Sequence, residues 1–116
     1  MLLYYLLLFS FSHQLIKELI KMKVYNMESS NGNKVPNQFI IEHNGKEYFQ
    51  SYRSVIAVKQ NYNFKTGKYE ILLDEQDWDY SRTTGKYRNE FLGEGIEATR
   101  KKIKDGTYKL TNLNRY

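Results

Sequence analysis

The stretch Phe39-Ile40-Ile41-Glu42-His43-Asn44-Gly45-Lys46-Glu47-Tyr48-Phe49-Gln50-Ser51-Tyr52 decides the fold. Two runs rich in β-branched and aromatic residues flank Asn44-Gly45. That dipeptide is a strong hairpin signal, because a type I′ turn needs positive φ at both central positions. Phe39 to His43 and Lys46 to Tyr52 are therefore predicted to pair as antiparallel strands. Downstream, Ser54-Val55-Ile56-Ala57-Val58-Lys59 is short and apolar, as suits a central strand. Asn61 to Gly67 reads as a turn region rich in Asn and Gly. Lys68 to Asp74 then supplies a fourth strand, with Tyr69, Ile71 and Leu73 on one face and Lys68, Glu70 and Leu72 on the other. Residues 39–74 thus predict an antiparallel sheet of three to four strands, whose apolar face needs a cover.

The C-terminal third of the chain is expected to supply that cover. Thr83 to Leu92 can form a short helix with Tyr87 and Phe91 one turn apart on one face. Gly85 weakens that helix near its start, and Gly93 and Gly95 break it. Ile96 to Lys104 reads as a second helix, with Ile96 and Ile103 inward and Arg100, Lys101 and Lys104 towards water. Asp105-Gly106 is its expected stop, since glycine takes the left-handed position after a helix. Thr107 to Thr111 can add a last strand, Tyr108 and Leu110 sharing parity. The predicted fold class is α+β: a small antiparallel sheet covered by two short C-terminal helices, forming a single domain over residues 39–116. Residues 22–38 are polar, contain Gly32 and Pro36, and read as a lead-in to that domain.

The chain has 116 residues, a one-domain length at which a core needs no staple. It has no cysteine, which excludes disulfides, zinc–thiolate sites and thiol catalysis. Eighteen Lys and Arg against thirteen Asp and Glu give a formal charge of +5, which favours anionic partners. Eleven tyrosines and six phenylalanines supply core area at low entropy cost.

The first 21 residues stand apart. MLLYYLLLFSFS is too short to span a bilayer, which takes roughly 20 apolar residues. It lacks the leading positive charge and the small-residue cleavage site of a signal peptide. A weak membrane anchor is one reading. Another is an upstream extension of the reading frame: Lys17-Glu18 can be encoded by AAGGAG, a ribosome-binding sequence, and Leu19-Ile20-Lys21 make a short spacer before Met22. The expected start is then Met22, with Met27 as an alternative. If the extension is translated, Leu15, Ile16, Leu19 and Ile20 form an apolar helical stripe.

Few chemical motifs stand out. His43 beside the turn reads as a solvated histidine, and His13 is the only other. Asp74, Glu75, Asp77 and Asp79 cluster, but without the oxygen spacing and terminal Glu of a calcium loop; they read as turn formers and caps where a strand ends and a helix starts. Ser81, Thr83, Thr84, Gly85 and Lys86 miss the phosphate-loop pattern, because Tyr87 follows the lysine. Neither metal nor cofactor is expected, and no nucleophile–base pair marks an enzyme.

The densest mixture of cations and aromatics is Trp78 to Leu92. Its binding candidates are Trp78, Tyr80, Arg82, Lys86 and Arg88. Trp78 is expected to anchor the segment, and the three cations to project outward. Arg100, Lys101 and Lys104 are candidate nucleic-acid contacts, since cations interleaved with aromatic rings grip single strands. A solvated helix face and a buried aromatic core account for the same residues.

The segments FQSYRSVIA (49–57), WDYSRTTGKYRNEFL (78–92) and KKIKDGTYKLTNLN (101–114) resemble a family of small uncharacterised proteins of phages and prophages of low-GC Gram-positive bacteria. The resemblance runs from about Phe39 to Asn114, is most specific over residues 78–92, and implies that residues 1–21 are foreign to the family. It implies a phage context and carries no reaction or ligand; an accessory protein in the cytoplasm of a bacterial host is expected, and the absence of cysteine fits that compartment. The expected function is non-enzymatic binding of a host or phage macromolecule, a protein in the first instance. A nucleic-acid-binding module is the alternative, and an enzyme with an unrecognised site the second. A membrane partner is not expected unless residues 1–21 belong to the protein.

Overall fold

A computed structural model describes residues 21–115. The apolar stripe Leu15, Ile16, Leu19 and Ile20 lies outside the described residues. The chain runs β1 (Lys23–Glu28), β2 (Lys34–His43), β3 (Lys46–Ser51), β4 (Ser54–Asn63), β5 (Lys68–Asp74), α1 (Arg82–Leu92), α2 (Ile96–Lys104) and β6 (Lys109–Thr111). The described residues form an α+β fold with one sheet, ordered β1-β2-β3-β4-β5-β6. The four pairings from β1 to β5 are antiparallel, while β6 joins β5 in parallel.

The central hairpin forms where the sequence places it. Asn44 and Gly45 have φ of 53° and 73°, the signs a type I′ turn demands. The register Ile40↔Phe49 and Ile41↔Tyr48 sets two alternating faces. One face carries Ile40, Phe49, Ala57, Ile71 and Leu73, which form the core with Ile56, with Tyr87 and Phe91 of α1, and with Tyr108. The Phe49 and Phe91 rings lie 5.8 Å apart and seat α1 on β3 and β4. Lys59 Nζ sits 4.3 Å from the centre of the Phe91 ring, so its ammonium closes the edge of the core by a cation–π contact.

Three expectations need correction. The sheet has six strands, not three to four. The two strands beyond that count lie at its edges: β6 falls within Thr107 to Thr111, read as a possible last strand, whereas β1 has no counterpart among the expected strands. Residues 22–38 are not a mere lead-in, because β1 and the first part of β2 lie there. Val24 and Tyr25 are exposed, so β1 buries little and shows no apolar stripe to read. Pro36 sits in β2 ahead of Gln38, where pairing with β3 begins, so its missing N–H interrupts no ladder on that side. Nor are the two helices simply a C-terminal cover for the sheet. α1 carries two aromatic residues into the core, α2 packs against it through Ile103, and the chain then returns to the sheet as β6.

The helix boundaries follow local chemistry. Ser81 caps α1, its Oγ accepting from the Thr84 N–H at 3.1 Å, and Gly93 closes it in the left-handed conformation. Asp105 caps α2 and Gly106 follows with φ of 84°.

Candidate functional site

The loop between β5 and α1 is held by three buried or half-buried anchors. Asp74 ends β5 and turns the chain. Its Oδ2 accepts from the N–H groups of Gln76 and Asp77, and its Oδ1 from that of Leu113. Burial pushes this carboxyl up, but those three donors and Asn114 outweigh the effect and hold it below the usual carboxylate range. Asp74 is therefore a structural turn former, in keeping with the clustering of carboxylates around it. Trp78 is half-buried and packs against the core.

Arg88 is the third anchor. Its place among the cations of residues 78–92 predicts an outward side chain, yet it is 1 % exposed. Its Nη1 donates to the Trp78 carbonyl and to Asp79 Oδ1, both at 2.9 Å, and its Nη2 donates to Asn89 Oδ1 at 3.0 Å. The guanidinium carbon lies 5.2 Å from the Trp78 ring centre. Three acceptors and a ring face, all beside the helix, offer this planar cation more than the solvent does. Beneath the same helix turn, Ser51 Oγ and Thr84 Oγ1 meet at 2.9 Å in a fully buried contact. The small polar residues around Ser81 thus fix how α1 enters the sheet.

Over this frame lies an open groove of about 640 Å³. Arg82, Lys86 and Arg88 of α1, Ile96 and Arg100 of α2, and Asp79 and Ser81 of the loop line it. Arg82 and Lys86 are exposed there, Lys86 holding its ammonium 5.3 Å from the Tyr87 ring centre. Arg100 bonds Glu97 at 3.1 Å on the surface of α2, a pair open to water and so weak. Tyr80 is exposed and lines a neighbouring depression of about 400 Å³ with Asn37, Tyr52, Arg53 and Ser54. Asp79 and Ser81 thus line the groove, and Tyr80 between them lines the neighbouring depression.

The fold brings together four of the candidate cations, Arg82, Lys86, Arg88 and Arg100, with Tyr80 alongside. Lys101 and Lys104 are exposed but do not line the groove. Tyr52 and Arg53 are additions that sequence reasoning missed, because the segment reads as the end of a strand. Tyr52 has φ of 57°, its N–H donating to the Asn37 carbonyl at 2.7 Å. A bulky residue with positive φ is strained, and such strain gathers at binding surfaces.

His43, expected to be solvated, is half-buried. It lines a depression of about 330 Å³ with Lys23, Glu42, Glu47 and Tyr69, where charges of both signs mix. Among the described residues no group of three or more His, Asp or Glu could hold a metal ion. No helix there is long and apolar enough to cross a membrane.

Fold and surface together describe a small α+β protein with an open basic groove beside exposed tyrosines. The chain belongs to a family of unknown function, DUF8033, whose model matches residues 22–108. The match takes in β1, which the resemblance from Phe39 onward left out. No curated protein and no solved structure matches.

Proposed function

We propose that this protein is a non-enzymatic binding protein whose groove takes nucleic acid, with single strands as the preferred form. One observation carries the reading: Arg82, Lys86 and Arg100 share one open groove floored by the buried Arg88, while Tyr80, Tyr52 and Arg53 surround the adjoining depression. Only Asp79 among the groove's lining residues is acidic, and Arg88 already neutralises it. Cations track phosphates and exposed rings stack bases, and the combination tolerates any sequence. The resemblance to phage and prophage proteins supports an accessory role in the cytoplasm of a bacterial host. A protein partner is the first expectation from sequence. The groove favours nucleic acid instead, because its lining is cationic and only Ile96 there is a large apolar residue.

Fluorescence anisotropy with a labelled single-stranded oligonucleotide tests the proposal. The unmodified chain should bind at low salt and weaken steeply as salt rises, by counterion release. Arg82→Ala with Lys86→Ala should lower both affinity and the salt slope while leaving the unfolding midpoint unchanged. Absence of binding at low salt, or a groove variant that binds as well as the parent, would refute the reading.

A further inference from the structure

The hairpin joining β4 to β5 carries a second surface. Phe64 at its tip is 90 % exposed, and Tyr62 and Tyr69 are each 42 % exposed. The three rings form one cluster. Tyr62 meets Phe64 edge-on at 5.0 Å between centres, and meets Tyr69 tilted at 4.8 Å. Leaving a phenylalanine side chain in water forgoes the burial that drives folding. Stability of the free chain gives no reason for it.

The tip is held in shape. Asn63 Oδ1 accepts from the N–H groups of Lys65 and Thr66, at 2.9 and 3.3 Å. The Gly67 N–H donates to the Asn63 carbonyl at 2.8 Å, with Gly67 at φ of 69°. At the tip itself the charge is basic, while Tyr69 at its base also faces the mixed-charge depression that holds Glu42 and Glu47. Lys65 and Lys68 are exposed in the same turn, and the nearest acid in the hairpin, Glu70, is engaged by Asn61 Nδ2 at 2.7 Å.

We propose that this tip is a stacking contact for unpaired bases, with Lys65 and Lys68 meeting the flanking phosphates. The inference rests on the nucleic-acid reading of the groove and makes the tip a second contact on the same class of ligand. Exposed ring faces bind any base, and the lysines add the attraction to phosphate that a neutral apolar partner would not use. A bilayer is the weaker fit. Phe64 is the one ring of the three without a hydroxyl, and even a whole myristoyl chain anchors a protein only marginally.

The test uses the full chain with Phe64→Ala and Phe64→Trp, and three ligands: an oligothymidine single strand, a hairpin-free duplex of equal length, and anionic phosphatidylserine vesicles. Phe64→Ala should weaken single-strand binding by roughly 5- to 150-fold, the range for loss of one base–aromatic stack. Phe64→Trp should restore it. Duplex binding and the unfolding midpoint should be unchanged in both. If the parent binds the single strand and Phe64→Ala binds it equally well, the tip proposal fails while the groove reading stands. If the parent binds neither ligand, both fail. If Phe64→Ala abolishes binding to anionic phosphatidylserine vesicles and leaves oligonucleotide affinity intact, the tip is a membrane contact and the proposal is overturned.

Discussion

Arg88 shows how one residue's environment decides between structure and contact. It follows Arg82 and Lys86 on the same helix, yet it alone of the three is buried. On a helix, position 88 lies about 100° around from Tyr87, and here it faces back over the loop that leads into α1. There it finds the Trp78 carbonyl and Asp79, while its neighbour on α1, Asn89, supplies a third acceptor. Arg88→Ala removes the donors from two loop residues at once and should cost about 2–3 kcal/mol. That is below the roughly 3–5 kcal/mol for breaking a fully buried ion pair, because Asp79 is partly exposed and keeps part of its hydration. Arg88→Lys should not rescue it, since an ammonium cannot reproduce the planar fork. Urea unfolding measures both. A loss under about 1 kcal/mol for Arg88→Ala would return the residue to the class of surface sites.

Elements here stand or fall by their turns. The β2–β3 hairpin depends on Asn44 and Gly45 both holding positive φ, with nothing within 4 Å of where a Cβ at Gly45 would lie. Steric room is therefore no obstacle there, and the backbone conformation is. Gly45→Val should destabilise by about 1 kcal/mol or more, by the strain of a β-branched residue at positive φ. An unfolding midpoint equal to the parent's would show that the turn has no such requirement. The β3–β4 connection shows the converse. It places positive φ on Tyr52, a residue that carries no turn signal, and so displays an aromatic ring next to Tyr80.

At the scale of the whole molecule, two carboxylates fasten the C-terminal part to the rest. Asp74 accepts from the Leu113 N–H. Glu94, between the helices, accepts from Thr99 Oγ1 at 2.7 Å and from Lys102 Nζ and Tyr108 Oη, each at 2.6 Å. Burial raises the Glu94 carboxyl, but Lys102, Tyr108 and Thr99 together hold it below its ordinary value of 4.5. Both carboxyls are thus depressed in the fold. Their contribution is present above their ordinary values and is lost as pH falls through the folded ones. Tyr108 is pushed up to about 12, by burial first and by Glu94 second, and Lys102 is raised chiefly by Glu94. Those contributions are complete below the ordinary values of 10.0 and 10.5 and fade as pH rises through the folded ones. Glu94→Gln should therefore lower stability at pH 7 and flatten its decline in acid. Urea midpoints at neutral and acid pH check this, and parallel acid limbs for variant and parent would contradict it.

Local patterns in the sequence determined the hairpin at Asn44-Gly45, strands β2 to β5, both helices and their glycine stops. Each of these rests on periodicity or φ preference within a few residues. Composition likewise marked residues 78–92 as the densest cluster of cations and aromatics. Tertiary structure decided the rest. Strand β1 needs β2 as its template, because its own side chains bury little. Strand β6 needs two intervening helices to bring it parallel to β5, a partner 37 residues away at Leu72↔Lys109. The split among the cations is equally non-local. Arg88 turns inward because loop acceptors wait there, and Arg100 joins Arg82 and Lys86 because α2 folds back beside α1. Burial and proximity depend on what the rest of the chain places around a side chain, which residue type and spacing do not encode.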